Sequence, residues 1–189
     1  LGAWLGDGTY DGGVITGIDE EIFEQIAVHY TVTKRSSPIV RGILGIRGQL
    51  RQLGVLGNKH IPAAYLRSSH EQRLALLQGI MDTDGYCDVR GQCEISLTRK
   101  VLIDDTMELL NSLGIKGCMR QRLCKKDKRV TGPMWRIKFL TDLPVFRMAR
   151  KLLRQKRGGF RGTHTLRFIE KCERIDDRVL QCIQVDSAS

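Results

Sequence analysis

The chain has 189 residues, 41% of them hydrophobic, which is enough for one substantial core or two small ones sharing an interface. Its 31 Lys and Arg against 21 Asp and Glu leave a formal charge of +10, a surplus that suits nucleic acid, with an acidic membrane face or simple solubility as the plainer alternatives. No apolar run approaches the ~18–20 residues of a membrane span. No charged-then-apolar leader is present, and the chain opens inside an apolar pattern, as a fragment lacking its natural N-terminus would.

Leu1-Gly2-Ala3-Trp4-Leu5-Gly6-Asp7-Gly8 predicts a short apolar helix ending in Asp-Gly. A strand at Val14–Thr16, a helix at Asp19–Val28, extended stretches at Tyr30–Lys34 and Ile39–Leu44, and a helix at Gly48–Leu53 are expected to follow. The order then begins again. Ser69 is a plausible N-cap for a helix through Glu71–Leu77, which runs on into Gln78-Gly79-Ile80-Met81-Asp82-Thr83-Asp84-Gly85. Two strands, Tyr86–Val89 and Cys93–Leu97, flank the turn Arg90-Gly91-Gln92. A helix is expected at Val101–Leu113, with Gly114 as its stop, then strands at Lys116–Leu123 and Met134–Leu140 and a helix at Pro144–Leu153. Val40-Arg41-Gly42-Ile43 occupies the position of Trp135-Arg136-Ile137-Lys138 in this alignment. The pattern is an α/β (α+β) chain of two repeats, 1–66 and 67–162, followed by a tail at 163–189.

A helix that ends in Asp is locally unfavourable, because that end already carries partial negative charge and unpaired carbonyls. One Asp-Gly is an ordinary turn dipeptide. Two of them, each behind small residues four apart (Gly2 and Gly6, Gly79 and Thr83), let two parallel helices approach closely and bring Asp7 and Asp84 together. Adjacent carboxylates repel unless they share a proton or bind cations. Oxygen ligands on a phosphate-seeking protein point to Mg²⁺, which can clamp a phosphodiester and activate water. The six cysteines form no C-x-x-C pair and are read as reduced strand residues of an intracellular protein.

The two acidic segments resemble the paired motifs of the LAGLIDADG homing endonucleases in their single-chain, pseudo-symmetric form. That resemblance implies two αββαββα repeats forming a saddle over DNA, with the two motif helices at the centre. It implies that the last acid of each motif, Asp7 and Asp84, binds divalent metal. The metal set expected is these two with Gly6 and Thr83, holding two or more Mg²⁺ ions, for which Mn²⁺ or Ca²⁺ could substitute in binding. Asp82 should cap or pack rather than ligate. Gly57-Asn58-Lys59-His60-Ile61-Pro62 is similar to a block of intein-borne endonucleases in which the lysine approaches the active site. An ammonium there would stabilise developing charge or polarise water. By repeat position its partner is Lys156, where the surrounding pattern is absent; His60 is given a packing or phosphate role. The stretch Val179–Ser187 resembles the start of an intein's C-terminal splicing region, but the terminal His-Asn pair and the N-terminal nucleophile of splicing are missing.

A twisted antiparallel sheet in each repeat could lie in the major groove. The strand residues expected to read bases are Thr16, Arg41, Arg90, Gln92, Glu94, Ser96, Arg120, Arg122, Arg136 and Lys138. Arg47, Lys125, Lys126, Arg157 and Arg161 are expected at the DNA through phosphates. Which strand residues face the groove depends on register, and one slip inverts the answer. The expected function is a monomeric, Mg²⁺-dependent, site-specific endonuclease making a staggered double-strand break in a long asymmetric target. The competing readings are an RNA-binding maturase and an inactive DNA-binding intein domain.

Overall fold

A computed structural model describes residues 1–34, 37–126, 129–156, 158–159 and 166–179. The first repeat comprises α1 (Gly2–Asp7), β1 (Val14–Thr16), α2 (Glu20–Ala27), β2 (Val32–Lys34), β3 (Val40–Ile43) and α3 (Ile46–Gln52). A short α4 (Ala63–Leu66) joins it to the second. There α5 (His70–Thr83), β4 (Gly85–Cys87), β5 (Cys93–Leu97), α6 (Lys100–Ser112), β6 (Gly117–Lys126), β7 (Arg129–Phe139) and α7 (Ala149–Leu152) complete the αββαββα order. The described residues 166–179 contain no helix or strand.

Local chemistry accounts for the boundaries. Ser69 Oγ accepts from the Gln72 amide and the Gln72 side chain accepts from the Ser69 amide, a reciprocal cap that starts α5. Beyond α6, Gly114 takes φ +76°, the left-handed conformation that stops a helix sharply. In the β4–β5 turn, Asp88 Oδ1 accepts from the Arg90 and Gln92 amides, and Gly91 has φ +82°.

Both sheets are antiparallel, with strand orders β1-β3-β2 and β4-β5-β7-β6. The first sheet therefore has three strands where four extended segments were expected. What remains of a fourth is a single bridge, Gly8 to Ile15, which corresponds to the Gly85–Ile95 pairing that begins β4. Residues 8–13 read Gly-Thr-Tyr-Asp-Gly-Gly, a composition that favours turns over strands. The final helix of each repeat is also shifted: α3 begins at Ile46 and α7 only at Ala149, later than the anticipated Pro144.

One core cluster runs through both repeats, from Trp4, Leu5, Ile15 and Phe23 through Leu77, Ile80 and Met81 to Ile95, Ile103, Leu110, Ile137 and Phe139. At its centre α1 and α5 run parallel. A Cβ on Gly2 would lie 2.3 Å from the Leu76 carbonyl oxygen, and one on Gly79 would lie 2.7 Å from the Ala3 nitrogen. The helix backbones touch, and neither position has room for a side chain. Gly79→Ala should therefore lower stability by about 1–3 kcal/mol. Gly48→Ala, in a helix with open space around the added methyl, should raise it by about 0.5–1 kcal/mol. Thermal or urea melts of both variants check this; equal effects would contradict a steric seam.

Candidate active site

The parallel seam delivers both helix ends to one place. Gly6 faces the end of α5 so closely that a Cβ there would meet Thr83 Oγ1 and Cβ, and would stand 3.2 Å from Asp84 Oδ2. Asp7 and Asp84 thus become neighbours, each partly shielded from solvent. Burial pushes both carboxyls above the ordinary carboxylate value. For Asp84 the neighbouring Asp7 charge adds to burial, and its pKa rises to about 6.

Two lysines answer this crowding, one in each repeat. Lys59 Nζ donates to the carbonyls of Leu5, Gly6 and Gly8 at 3.1, 3.0 and 2.7 Å. Lys151 Nζ donates to Met81, Asp82, Thr83 and Gly85 at 3.1, 2.6, 3.4 and 2.7 Å. Each ammonium therefore closes the C-terminal carbonyls of its own motif helix, where a cation complements the helix dipole. Each also lies over an aromatic ring, Lys59 over Trp4 at 5.0 Å and Lys151 over Phe146 at 5.8 Å. Burial lowers both lysine pKa values, opposed by the pull of the acids, Asp84 and Asp7 on Lys59 and Asp82 first on Lys151.

Lys156 does not occupy the position expected of the second lysine. Its backbone amide donates to the Gly91 carbonyl at 3.3 Å, and it packs on the β4–β5 turn. In place of a helix through Leu153 with the lysine beyond it, α7 is short and carries Lys151 within it. Nothing around Lys151 resembles the Asn-Lys-His-Ile-Pro block, so its surrounding sequence offered no motif to find it by. What carries it into place is α7. The Asp82 carboxylate, 3% exposed, accepts from the Arg147 and Met148 amides at 3.0 and 3.1 Å, the packing and capping role expected of it. The first repeat adds Glu21, accepting from the Ala149 amide, and Asp19, paired with Arg150 at 2.8 Å. His60 Nδ1 sits 2.7 Å from the Asn58 carbonyl.

Gly6 and Thr83 enter through their carbonyls, each already accepting from a lysine. The Thr83 hydroxyl is turned away and bonds the Gly79 and Ile80 carbonyls at 3.0 Å. Two carboxylates and carbonyl oxygens are hard ligands. Among the described residues no group of three His, Cys, Asp or Glu side chains could hold a metal. The donor set therefore fits a hard cation that keeps water or phosphate in its remaining positions, as Mg²⁺ does.

The outer face of the second sheet carries the predicted polar strand residues in register. Glu94, Lys138 and Cys118 form one cross-strand row; Ser96, Arg136 and Arg120 form the next, with Arg122 beyond. Gln92, Arg120, Arg122, Arg136 and Lys138 line a groove of about 530 Å³. Arg90 is exposed in the adjoining turn. In the first sheet Thr16 is exposed, but Arg41 is turned inward. It pairs with Ile15, is 8% exposed, stacks on Phe23 at 5.4 Å and is bonded to Glu20 at 2.5 Å. Matching Gly8–Ile15 to Gly85–Ile95 aligns Arg41 with Ile137, one residue away from the Arg136 assumed from sequence. The single-residue slip moves the side chain to the opposite face. Arg47 is exposed in the first turn of α3. The side chains of Lys125 and Lys126, and all of Arg157, Arg161 and Cys182, lie outside the described residues.

A family profile described as a LAGLIDADG-like domain matches residues 71–174, and the chain belongs to that family. Over its full length it is 34% identical to a stretch making up 32% of "Replicative DNA helicase DnaB" of Mycobacterium intracellulare. It is 26% identical, over 76% of its length, to 19% of an iron-sulfur cluster assembly SufBD family protein of Mycobacterium leprae (strain TN). The chain thus spans about a third or less of the curated relatives it matches. Among solved structures it is similar to I-DmoI in complex with DNA and Ca, at 13% identity and a TM-score of 0.47, covering 73% of this chain and 78% of that one. A complex of an I-DmoI variant with its target DNA in the presence of Mn matches at 13% identity and a TM-score of 0.48, over 81% and 86%. Among the described residues, no helix is long and apolar enough to cross a membrane.

The raised Asp84 value fixes a pH dependence. Its folded pKa of about 6 exceeds the ordinary 3.8, so ionisation works against folding: the penalty is absent below about 3.8, grows between the two, and is complete above about 6. In a metal-free buffer Asp84→Asn should raise the melting temperature above pH 6, with the gain shrinking toward zero near pH 4. Melting curves across that range check it, and a gain independent of pH would contradict the assignment.

Proposed function

We propose that the protein is a site-specific DNA endonuclease in which Asp7 and Asp84 form one divalent-metal-dependent centre. The observation that carries this is the duplicated pair, a carboxylate at each of two touching helix ends with an ammonium capping each end. A protein that only bound nucleic acid would gain nothing from two adjacent buried carboxylates, since their repulsion costs stability. Family membership and the cationic outer face of the second sheet support the same reading.

Asp7 and Asp84 would hold Mg²⁺, with the Gly6 and Thr83 carbonyls at hand. Bound there, the ion would supply Lewis acidity toward the scissile phosphate and ease deprotonation of water. The chain's own part is positional. The glycine seam fixes the spacing of the two acids, and each lysine offsets the negative end of its helix. An ammonium spending its three N–H donors on carbonyls acts on a phosphate through charge rather than as a free proton donor. Each acid would serve one strand, giving the staggered double-strand break of a single-chain enzyme. The unlike halves, a three-strand face without formal charge against a four-strand face whose β6 and β7 carry Arg120, Arg122, Arg136 and Lys138, support an asymmetric target.

An intein-borne origin is supported by the relatives. A helicase and an iron-sulfur assembly protein are unrelated in name, yet each carries this stretch as a minor part of its length. A segment common to proteins of unrelated activity behaves as an insert.

Incubation with Mg²⁺ and a supercoiled plasmid library should linearise a subset of plasmids. Asp7→Asn and Asp84→Asn should each reduce double-strand cutting by about 10²-fold or more, as expected when a metal ligand is lost from such a site. Lys59→Met and Lys151→Met should each reduce both cutting and melting temperature, whereas Lys156→Ala should alter cutting far less than Lys151→Met. Failure of the wild-type chain to cut any plasmid, or indifference to both Asn substitutions, sinks the nuclease reading. On the DNA side, Arg120→Ala should flatten the salt dependence of binding by roughly one unit of slope. Arg41→Ala should chiefly lower the melting temperature, its guanidinium being engaged with Glu20 and Phe23.

A further inference from the structure

The cationic face of the second sheet contains one anion at its centre. Glu94 stands on β5 between Tyr86 of β4 and Lys138 of β7. Its side chain is 18% exposed. Oε2 pairs with Lys138 Nζ at 3.2 Å, and Oε1 lies 3.7 Å from a terminal Arg136 nitrogen. Arg136 Nε in turn donates to Ser96 Oγ at 3.0 Å. Directly across from Arg136 is Arg120, a like-charged cross-strand pair that would be unfavourable on an unliganded surface.

This arrangement has two physical consequences. Glu94 and Ser96 leave Arg136 with fewer orientations, so little ordering remains to be done when it meets a base. A carboxylate facing a DNA groove also repels phosphate, which lowers the affinity of the whole face for backbone of any sequence. Phosphate attraction alone explains the arginines and Lys138; it does not explain an acid among them. A carboxylate can only accept hydrogen bonds, and in the major groove the exocyclic amino group of cytosine is the matching donor, while an arginine fork matches the O6 and N7 of guanine.

Resting on the endonuclease reading, we propose that Glu94 is a specificity-determining residue: with Arg136 it reads one C·G base pair of the target and, by its charge, penalises all other DNA. Removing the charge should therefore strengthen binding to arbitrary DNA while weakening discrimination, a combination that loss of an ordinary DNA contact does not produce.

The test uses the full chain with Ca²⁺ in place of Mg²⁺ and two probes: a duplex library randomised over about 30 base pairs, and one fixed duplex of unselected sequence. The wild-type chain should enrich a motif from the library. Glu94→Gln, which keeps the shape, should bind the fixed duplex several-fold more tightly, with a steeper salt dependence, and should lose about tenfold or more of the preference for C·G at one position. Glu94→Asp, which keeps the charge but shortens the reach, should leave the fixed-duplex affinity near wild type and still lose that preference. Melting curves establish that both variants fold. A Gln variant with unchanged affinity for the fixed duplex and an unchanged motif overturns the proposal while leaving the endonuclease reading intact. A wild-type chain that retains neither probe overturns both.

Discussion

Two helix backbones in contact set everything else in this molecule. At Gly2 and Gly79 the α1–α5 separation leaves no room for a methyl group, and at Gly6 the next position along the seam already meets Thr83 and Asp84. Parallel packing at that distance forces two C-terminal ends, two sets of open carbonyls and two carboxylates into one small volume. Each of these is a source of negative potential. The surrounding architecture is the response: Lys59 and Lys151 bond the carbonyls, while burial, and for Asp84 also the neighbouring Asp7 charge, still holds the carboxyl pKa values above the ordinary one.

The two halves solve this shared problem with different chemistry. Lys59 comes from an extended segment after α3, between Asn58 and His60. Lys151 comes from a helix held by Asp82 of its own repeat and by Asp19 and Glu21 of the other. The second arrangement couples the repeats, because movement of α2 would disturb the helix that carries Lys151. The sheets diverge as well. The outer face of the first presents Thr16 and Thr33 beside Val14, Val40 and Gly42, with no formal charge among its strand residues. The second presents Arg120, Arg122, Arg136 and Lys138 around Glu94. Pseudo-symmetry at the centre, where the two motif helices meet, coexists with asymmetry at the sheets, where each half would meet a different sequence.

The seam itself makes negative charge at the site costly for folding, and a bound cation would relieve that cost. Stability and cation binding are therefore linked through the same two carboxyls. The second sheet carries no such tension in its core. There, Cys93, Ile95, Ile137 and Phe139 pack with α6, and the charged side chains stand on the opposite face.

Much of this was legible in the sequence because it depends on local pattern. Apolar periodicity marked the helices, Ser69 announced the start of α5, and the doubled Asp-Gly ends with small residues four apart were enough to bring Asp7 and Asp84 together on paper. Alternation puts Glu94 with Ser96 on one face of β5 and Arg136 with Lys138 on one face of β7; only the pairing of the two strands makes these the same face. Arg41 differs from expectation because residues 8–13 form a turn instead of a full strand, so the two repeats correspond one residue out of step with their sequence pattern, enough to exchange inside for outside. The place of Lys151 has no local signal because its neighbours in space are Met81, Asp82, Thr83 and Gly85, about seventy positions away in the chain. Sequence by itself determined the two motif helices, the duplicated acids and the alternation of each strand, since these follow from side-chain chemistry at short range. Register between strands and the lysine that caps the second motif helix were decided only by tertiary structure, because both are pairings between segments whose separation along the chain carries no trace of their contact.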